Sequence, residues 1–372
     1  MSFLRPISIP VSILAASLML TANAAAQVSL TPPSVQAPAT KPAEKAKSRP
    51  HAIARKPAAP APQPSPSPTP AATVIPAPPP DNPDVDLVYG AFQTGHYKTA
   101  FDLATARAQT GDPKAMTMLG ELYANGMGVK RDYAKAVDWY KRASDAGDRE
   151  AMFALAMLRI AGRGGPVDQG EAVKLLASAA KLGEPKAAYN LALLYIAGQT
   201  LPQDLKRAAE LLRMAADAGN AEAQYALATF YKEGTGVEKD LEKSVRLLQA
   251  AALADNVDAE VEYAIALFNG TGTPQNRPAA VALLRKAARQ GSPIAQNRLA
   301  RVLVTGTGAP TDKIEGLKWH LVAKTAGKGD PYLDSELAAL SPEDRAKAEE
   351  AAKRWLGTAD LTQPQPQGTQ SH

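Results

Sequence analysis

The feature that most constrains this chain is a fixed period of 36 residues. Stepping forward by 36 turns Gly111 into Gly147, Gly183, Gly219, Asp255, Gly291 and Gly327. Ala115 becomes Ala151, Ala187, Ala223, Ala259 and Ala295, and Ala143 becomes Ala179, Ala215, Ala251, Ala287 and Ala323. Gly126 recurs as Gly162, Gly198, Gly234, Gly270 and Gly306. Six copies in register, with no insertion, predict a helical solenoid.

One copy reads as a helix–loop–helix hairpin. Ala115, Met118, Leu119, Leu122 and Tyr123 fall at 3-and-4 spacing, which gives one apolar helix face. Asp112 is a fit N-cap and Pro113 suits the first helical position. Asn125-Gly126-Met127-Gly128 ends that helix with residues that tolerate positive φ. Asp132 caps the second helix, and its equivalents Asp168, Asp204, Asp240, Asn276 and Asp312 are all capable caps. The recurring alanines let helix backbones approach closely. The loop glycines lack the preceding strand and the Lys-Ser/Thr ending that a phosphate cradle needs, so they read as loop geometry. A single hairpin leaves one face without a partner, so the array is the folding unit.

Ala115, Leu119, Gly120, Tyr123, Gly126, Gly128, Val129, Asp132, Lys135, Ala136, Trp139, Tyr140, Ala143 and Gly147 together resemble the Sel-1-type repeat, a relative of the tetratricopeptide repeat. The resemblance covers about residues 111–326. It departs from the pattern at Thr200, in place of the second loop glycine, and at Asp255, in place of a helix-ending glycine. Leu-Leu pairs also replace Trp139-Tyr140 in the middle copies. The resemblance implies an all-α, right-handed α-solenoid whose first helices line a concave groove, and a role in binding other proteins. In that geometry the residues equivalent to Thr117, Glu121 and Ala124 face the groove. These are Phe153, Met157 and Ile160 in the second copy and Tyr189, Leu193 and Ile196 in the third. Tyr225, Thr229 and Lys232 follow in the fourth, then Val261, Ile265 and Phe268, with Asn297 and Arg301 in the sixth. An apolar, aromatic centre with polar ends suits a peptide or helix. The competing reading is that Tyr189 and Tyr225, at consensus positions, pack between repeats, and the same alternative holds for Phe153, Met157 and Ile160.

Around the array the chain changes character. Residues 1–26 read as a secretory signal, with Arg5, an apolar run from Ile7 to Leu20, and small-residue cleavage options at Ala24 or Ala26. The alternative is an uncleaved anchor, although the run is short for a bilayer span. Residues 27–84 read as a Pro/Ala-rich linker, extended and solvated, with 16 prolines between Thr31 and Pro80. Lys41, Lys45, Lys47, Arg49, Arg55 and Lys56 against Glu44 make it basic. Residues 1–80 therefore carry more than the chain's whole net charge of +5, and the repeats are close to neutral. Such a tether fits contact with anionic wall polymer or a membrane surface, or a simple charged spacer. Residues 85–110 read as an N-terminal capping helix pair, 327–356 as C-terminal capping helices and 357–372 as a disordered tail.

Chemistry is sparse. There is no cysteine, which excludes disulfides and thiol catalysis. The four histidines, His51, His96, His320 and His372, show no metal-ligand spacing. His320 stands where other copies have Tyr140 or Leu176, a packing position. No Gly-x-Ser-x-Gly elbow occurs, and near-neutral repeats do not suit nucleic acid. The expectation is a non-enzymatic protein without catalytic residues, cofactor or metal. It would be exported to a periplasm or envelope, where it binds the exported domain of an envelope protein as a scaffold or adaptor. The resemblance extends to a periplasmic regulator of exopolysaccharide synthesis that restrains a sensor kinase. Two other readings are a wall- or polysaccharide-associated structural protein and a hydrolase of wall fragments or β-lactams. The second of these is linked to cysteine-rich relatives whose cysteines this chain lacks.

Overall fold

The computed structural model describes residues 86–360. The expected leader and linker lie outside them, as do residues 361–372 of the expected tail. Among the described residues there are sixteen helices and no strand. A first pair, α1 (Leu87–Gln93) and α2 (Tyr97–Gln109), precedes six hairpins. These are α3 (Pro113–Asn125) with α4 (Tyr133–Asp145), α5 (Arg149–Ala161) with α6 (Gln169–Lys181), and α7 (Pro185–Ala197) with α8 (Leu205–Asp217). They continue with α9 (Ala221–Glu233) and α10 (Leu241–Leu253), α11 (Val257–Asn269) and α12 (Arg277–Arg289), and α13 (Pro293–Thr305) and α14 (Lys313–Thr325). Two closing helices follow, α15 (Pro331–Ala338) and α16 (Pro342–Asp360). From α1 to α14 each helix packs chiefly on its neighbours in the chain, and α16 packs on α14, so this is an all-α solenoid. The last helix runs four residues past the boundary expected at 356.

The caps explain why every repeat helix has the same length. Asp132, Asp168, Asp204, Asp240, Asn276 and Asp312 each accept a bond from a backbone N–H three residues on. That satisfies one of the orphan donors at a helix start. The first helices end at Gly126, Gly162, Gly198, Gly234, Gly270 and Gly306, all left-handed. Asp255 takes φ 60° where the other copies have glycine, the only non-glycine residue with positive φ among those described. Aspartate tolerates this region better than most side chains.

The recurrent alanines are the points of closest approach. Ala115 and Ala143 and all their equivalents are buried, most of them completely. Other small residues answer to particular neighbours. A Cβ at Gly120 would lie 2.6 Å from the ring of Tyr140. The five later repeats have alanine at that position and leucine or histidine opposite it. A Cβ at Gly128 would sit 2.6 Å from the carbonyl carbon of Tyr97, so the second loop glycine lets the loop lie against the start of the preceding hairpin's helix. At the C-terminal end Trp319 meets Trp355 edge-to-face at 4.9 Å, which closes α16 onto α14.

Candidate functional site

The first helices are buried almost all round, because each is clasped by its own hairpin partner and by its neighbours. This decides where the residues expected to face a groove lie. Phe153, Tyr189, Leu193, Ile196, Tyr225, Ile265 and Phe268 are all at most 8% exposed, and only Met157 and Ile160 are half-buried. Most of this set therefore belongs to the buried core clusters, Phe153, Tyr189, Leu193, Ile196 and Tyr225 in one and Ile265 and Phe268 in the next. Thr117, Glu121 and Ala124, at the same positions of the first repeat, are buried as well. The polar end is engaged too. Arg301 grips Asp330, the N-cap of α15, through Nη2–Oδ1 at 3.0 Å, and Asn297 donates to the Lys328 carbonyl at 3.1 Å.

An open surface lies nearby, at the N-terminal ends of the first helices. There a groove of ≈ 1120 Å³ runs from Asp86 past α3, α5, α7 and α9 to Ala254. The second residue of each helix lines it: Lys114, Glu150, Lys186 and Glu222. Their charges alternate in sign from repeat to repeat. The floor is tied across repeats. Thr117 Oγ1 donates to Asp148 at 3.0 Å, and Arg149 donates to the carbonyls of Leu182 and Gly183 at 3.2 Å. Burial raises the carboxyl of Glu184, the cap of α7, and Arg149 at 3.8 Å only partly offsets it. The signal that marks these residues is a column of the repeat, the second helical position, which is charged with mixed sign in the first five copies and stands next to the constant alanine column of Ala115.

The first repeat also holds a buried acid. Glu121 is 1% exposed and accepts from Asn125 Nδ2 at 2.7 Å and Tyr140 Oη at 3.2 Å. Burial pushes its carboxyl up to about 7, against the lowering effect of those two donors and of Lys186. It faces neutral donors and no nucleophile, which makes it a core group. His320 is fully buried, with Nε2 2.8 Å from Asp334, and belongs to the packing of α14 against α15. Among the described residues no cluster of His, Cys, Asp and Glu could hold a metal ion, and no helix is long and apolar enough to cross a membrane.

Comparison with known proteins agrees with this architecture. The Sel1 repeat model matches six consecutive segments, residues 113–148, 149–184, 185–220, 221–256, 257–292 and 293–328. The chain belongs to the Sel1 repeat family, whose members are generally protein-interaction scaffolds and typically not enzymes. No curated protein matches it. Among solved structures it is similar to c5321, described as a protective antigen of uropathogenic Escherichia coli strains with an SLR fold. That match has 29% identity and a TM-score of 0.63, over 74% of this chain and 61% of the other. It is also similar to a Sel1 repeat protein from Oxalobacter formigenes, at 28% identity and TM-score 0.58, over 64% of this chain and 98% of the other. The chain thus spans less than two thirds of the first of these relatives.

Proposed function

We propose that this protein is an exported scaffold that holds an extended segment of a partner protein, the exported domain of an envelope protein, along the N-terminal ends of its first helices. The observation that carries the reading is the continuous groove across four repeats with Lys114, Glu150, Lys186 and Glu222 in alternating sign. An extended segment can meet all four repeats at once, and alternation of charge sets its register and excludes segments of uniform charge. Export is read from the apolar run Ile7 to Leu20 behind Arg5.

Lysine-directed crosslinking of the full-length chain in its native envelope, followed by mass spectrometry, tests the proposal. The expected result is one recurring protein partner joined through Lys114 and Lys186. Crosslinks confined to Lys41, Lys45, Lys47 and Lys56, with no recurring protein, would replace it with the wall-associated reading, which the basic character of residues 41–56 favours.

A further inference from the structure

One column of the repeat breaks rank in one place. At the position of Leu122 the later repeats have Leu158, Leu194, Phe230, Ala266 and Val302. Only the fifth has a residue smaller than valine. The helix opposite compensates only in part, with Ser244 and Val245 where the preceding repeat has two alanines. Leu241, Ser244, Val245 and Leu248 of α10 correspond to Leu205, Ala208, Ala209 and Leu212 of α8, which face Phe230's repeat. That extra bulk does not fill the place left at Ala266, and a crevice of ≈ 760 Å³ stands between α10 and α11. Its walls are Leu241, Val245 and Leu248 on one side and Ile265 and Ala266 on the other. The buried core also divides here, with one cluster ending at Ala259 and the next starting at Val261.

The lining charges balance. Lys232 and Glu262 pair at 3.1 Å, and Glu233 and Lys239 add one charge of each sign. No net field favours an ion of either sign. The Ser244 hydroxyl is turned away, donating to the Ala228 carbonyl at 2.7 Å. The volume lies within the range of roughly 300–1,000 Å³ that small-molecule sites occupy, and is larger than one side chain needs.

We propose that the crevice between α10 and α11 is a binding site for an uncharged, mostly apolar small molecule, whose aromatic or branched body takes the place left by the side chain missing at Ala266. Polar atoms of the ligand would meet Asn269 and Thr271, which also line the crevice. The site is separate from the groove over Lys114 to Glu222, so it stands or falls independently of the scaffold reading.

The test uses Nile red, an uncharged apolar fluorophore, with the full chain. The expected result is saturable binding of one dye per chain with blue-shifted emission. Ala266→Leu restores the side chain found in three other repeats. It should weaken dye binding at least tenfold while the melting temperature holds or rises. Val245→Leu narrows the crevice from the other wall, using the residue that the sixth repeat has as Leu317, and gives the same reading should Ala266→Leu fail to fold. Absence of saturable binding, or equal binding by the parent chain and a folded filled variant, overturns the proposal.

Discussion

Helices α9 and α11 are the first helices of adjacent repeats and share a backbone plan. Each has thirteen residues, an asparagine N-cap and a left-handed glycine at its end. Their side chains differ at most positions, and three of these differences bear on the interface. Where α9 has Gln224, Ala226 and Phe230, α11 has Glu260, Glu262 and Ala266. Gln224 donates its amide to the Ala216 carbonyl at 3.2 Å, and Gln296 of the sixth repeat does the same to Ala288 at 3.1 Å. Glu260 has no such proton to give. It is fully buried and forms an ion pair with Lys286, Nζ to Oε1 2.6 Å, but neither carboxylate oxygen accepts a hydrogen bond of good geometry. The comparison separates two jobs. Caps and loop glycines set the shape of every hairpin, whereas a few side chains set how firmly each hairpin holds the next. In an array stabilised by nearest-neighbour interfaces, a weak interface stays local. The fifth repeat can therefore keep a crevice without loss of the fold.

Making the fourth repeat resemble the fifth should have the largest effect. Phe230 is completely buried, and Phe230→Ala should cost about 3–5 kcal/mol, read as a lowered midpoint in urea unfolding. A change well under 1 kcal/mol would mean that the interface between α8 and α9 closes over the gap, and that the crevice at Ala266 has another cause.

A second measurement sharpens the contrast between the two buried acids. Glu121 is held by neutral donors and its carboxyl is pushed up to about 7. The native state therefore keeps a proton that the unfolded chain releases near its ordinary carboxylate pKa. That contribution is fully present below the unfolded pKa and is lost as pH rises toward 7, beyond which it is flat. The loss is on the order of 3–4 kcal/mol, at about 1.4 kcal/mol per unit. Glu121→Gln should remove most of this slope between pH 5 and pH 8 in thermal melts. An unchanged slope would assign it to other groups.

The smallest effect comes from making the fifth repeat resemble its neighbours. Glu260→Gln gives the side chain a proton for the Ala252 carbonyl and leaves Lys286 paired with Asp255 at 2.6 Å. The expected gain is about 1 kcal/mol in urea unfolding. A loss of stability would show that the ion pair between Glu260 and Lys286 outweighs the cost of burying the carboxylate.

The sequence by itself determined the repeat, its length and the hairpin. Caps such as Asp132 and stops such as Gly126 act within a few residues along the chain, and their chemistry repeats every 36 positions. It also determined that positions such as Phe153, Tyr189 and Ile265 lie on the first helices. Only the tertiary structure decided what covers them. A side chain on a helix is equally apolar whether it faces a groove or the next repeat. The choice depends on how closely successive hairpins wind, which the sum of many small contacts fixes. The groove over Lys114, Glu150, Lys186 and Glu222 needed the same information, since these residues are 36 apart in sequence and share a surface only after stacking. Ala266 lies between the two cases. Its column could be read from the sequence as an outlier, but an alanine among leucines becomes a cavity only if the opposite helix fails to move in, and packing decided that α10 does not.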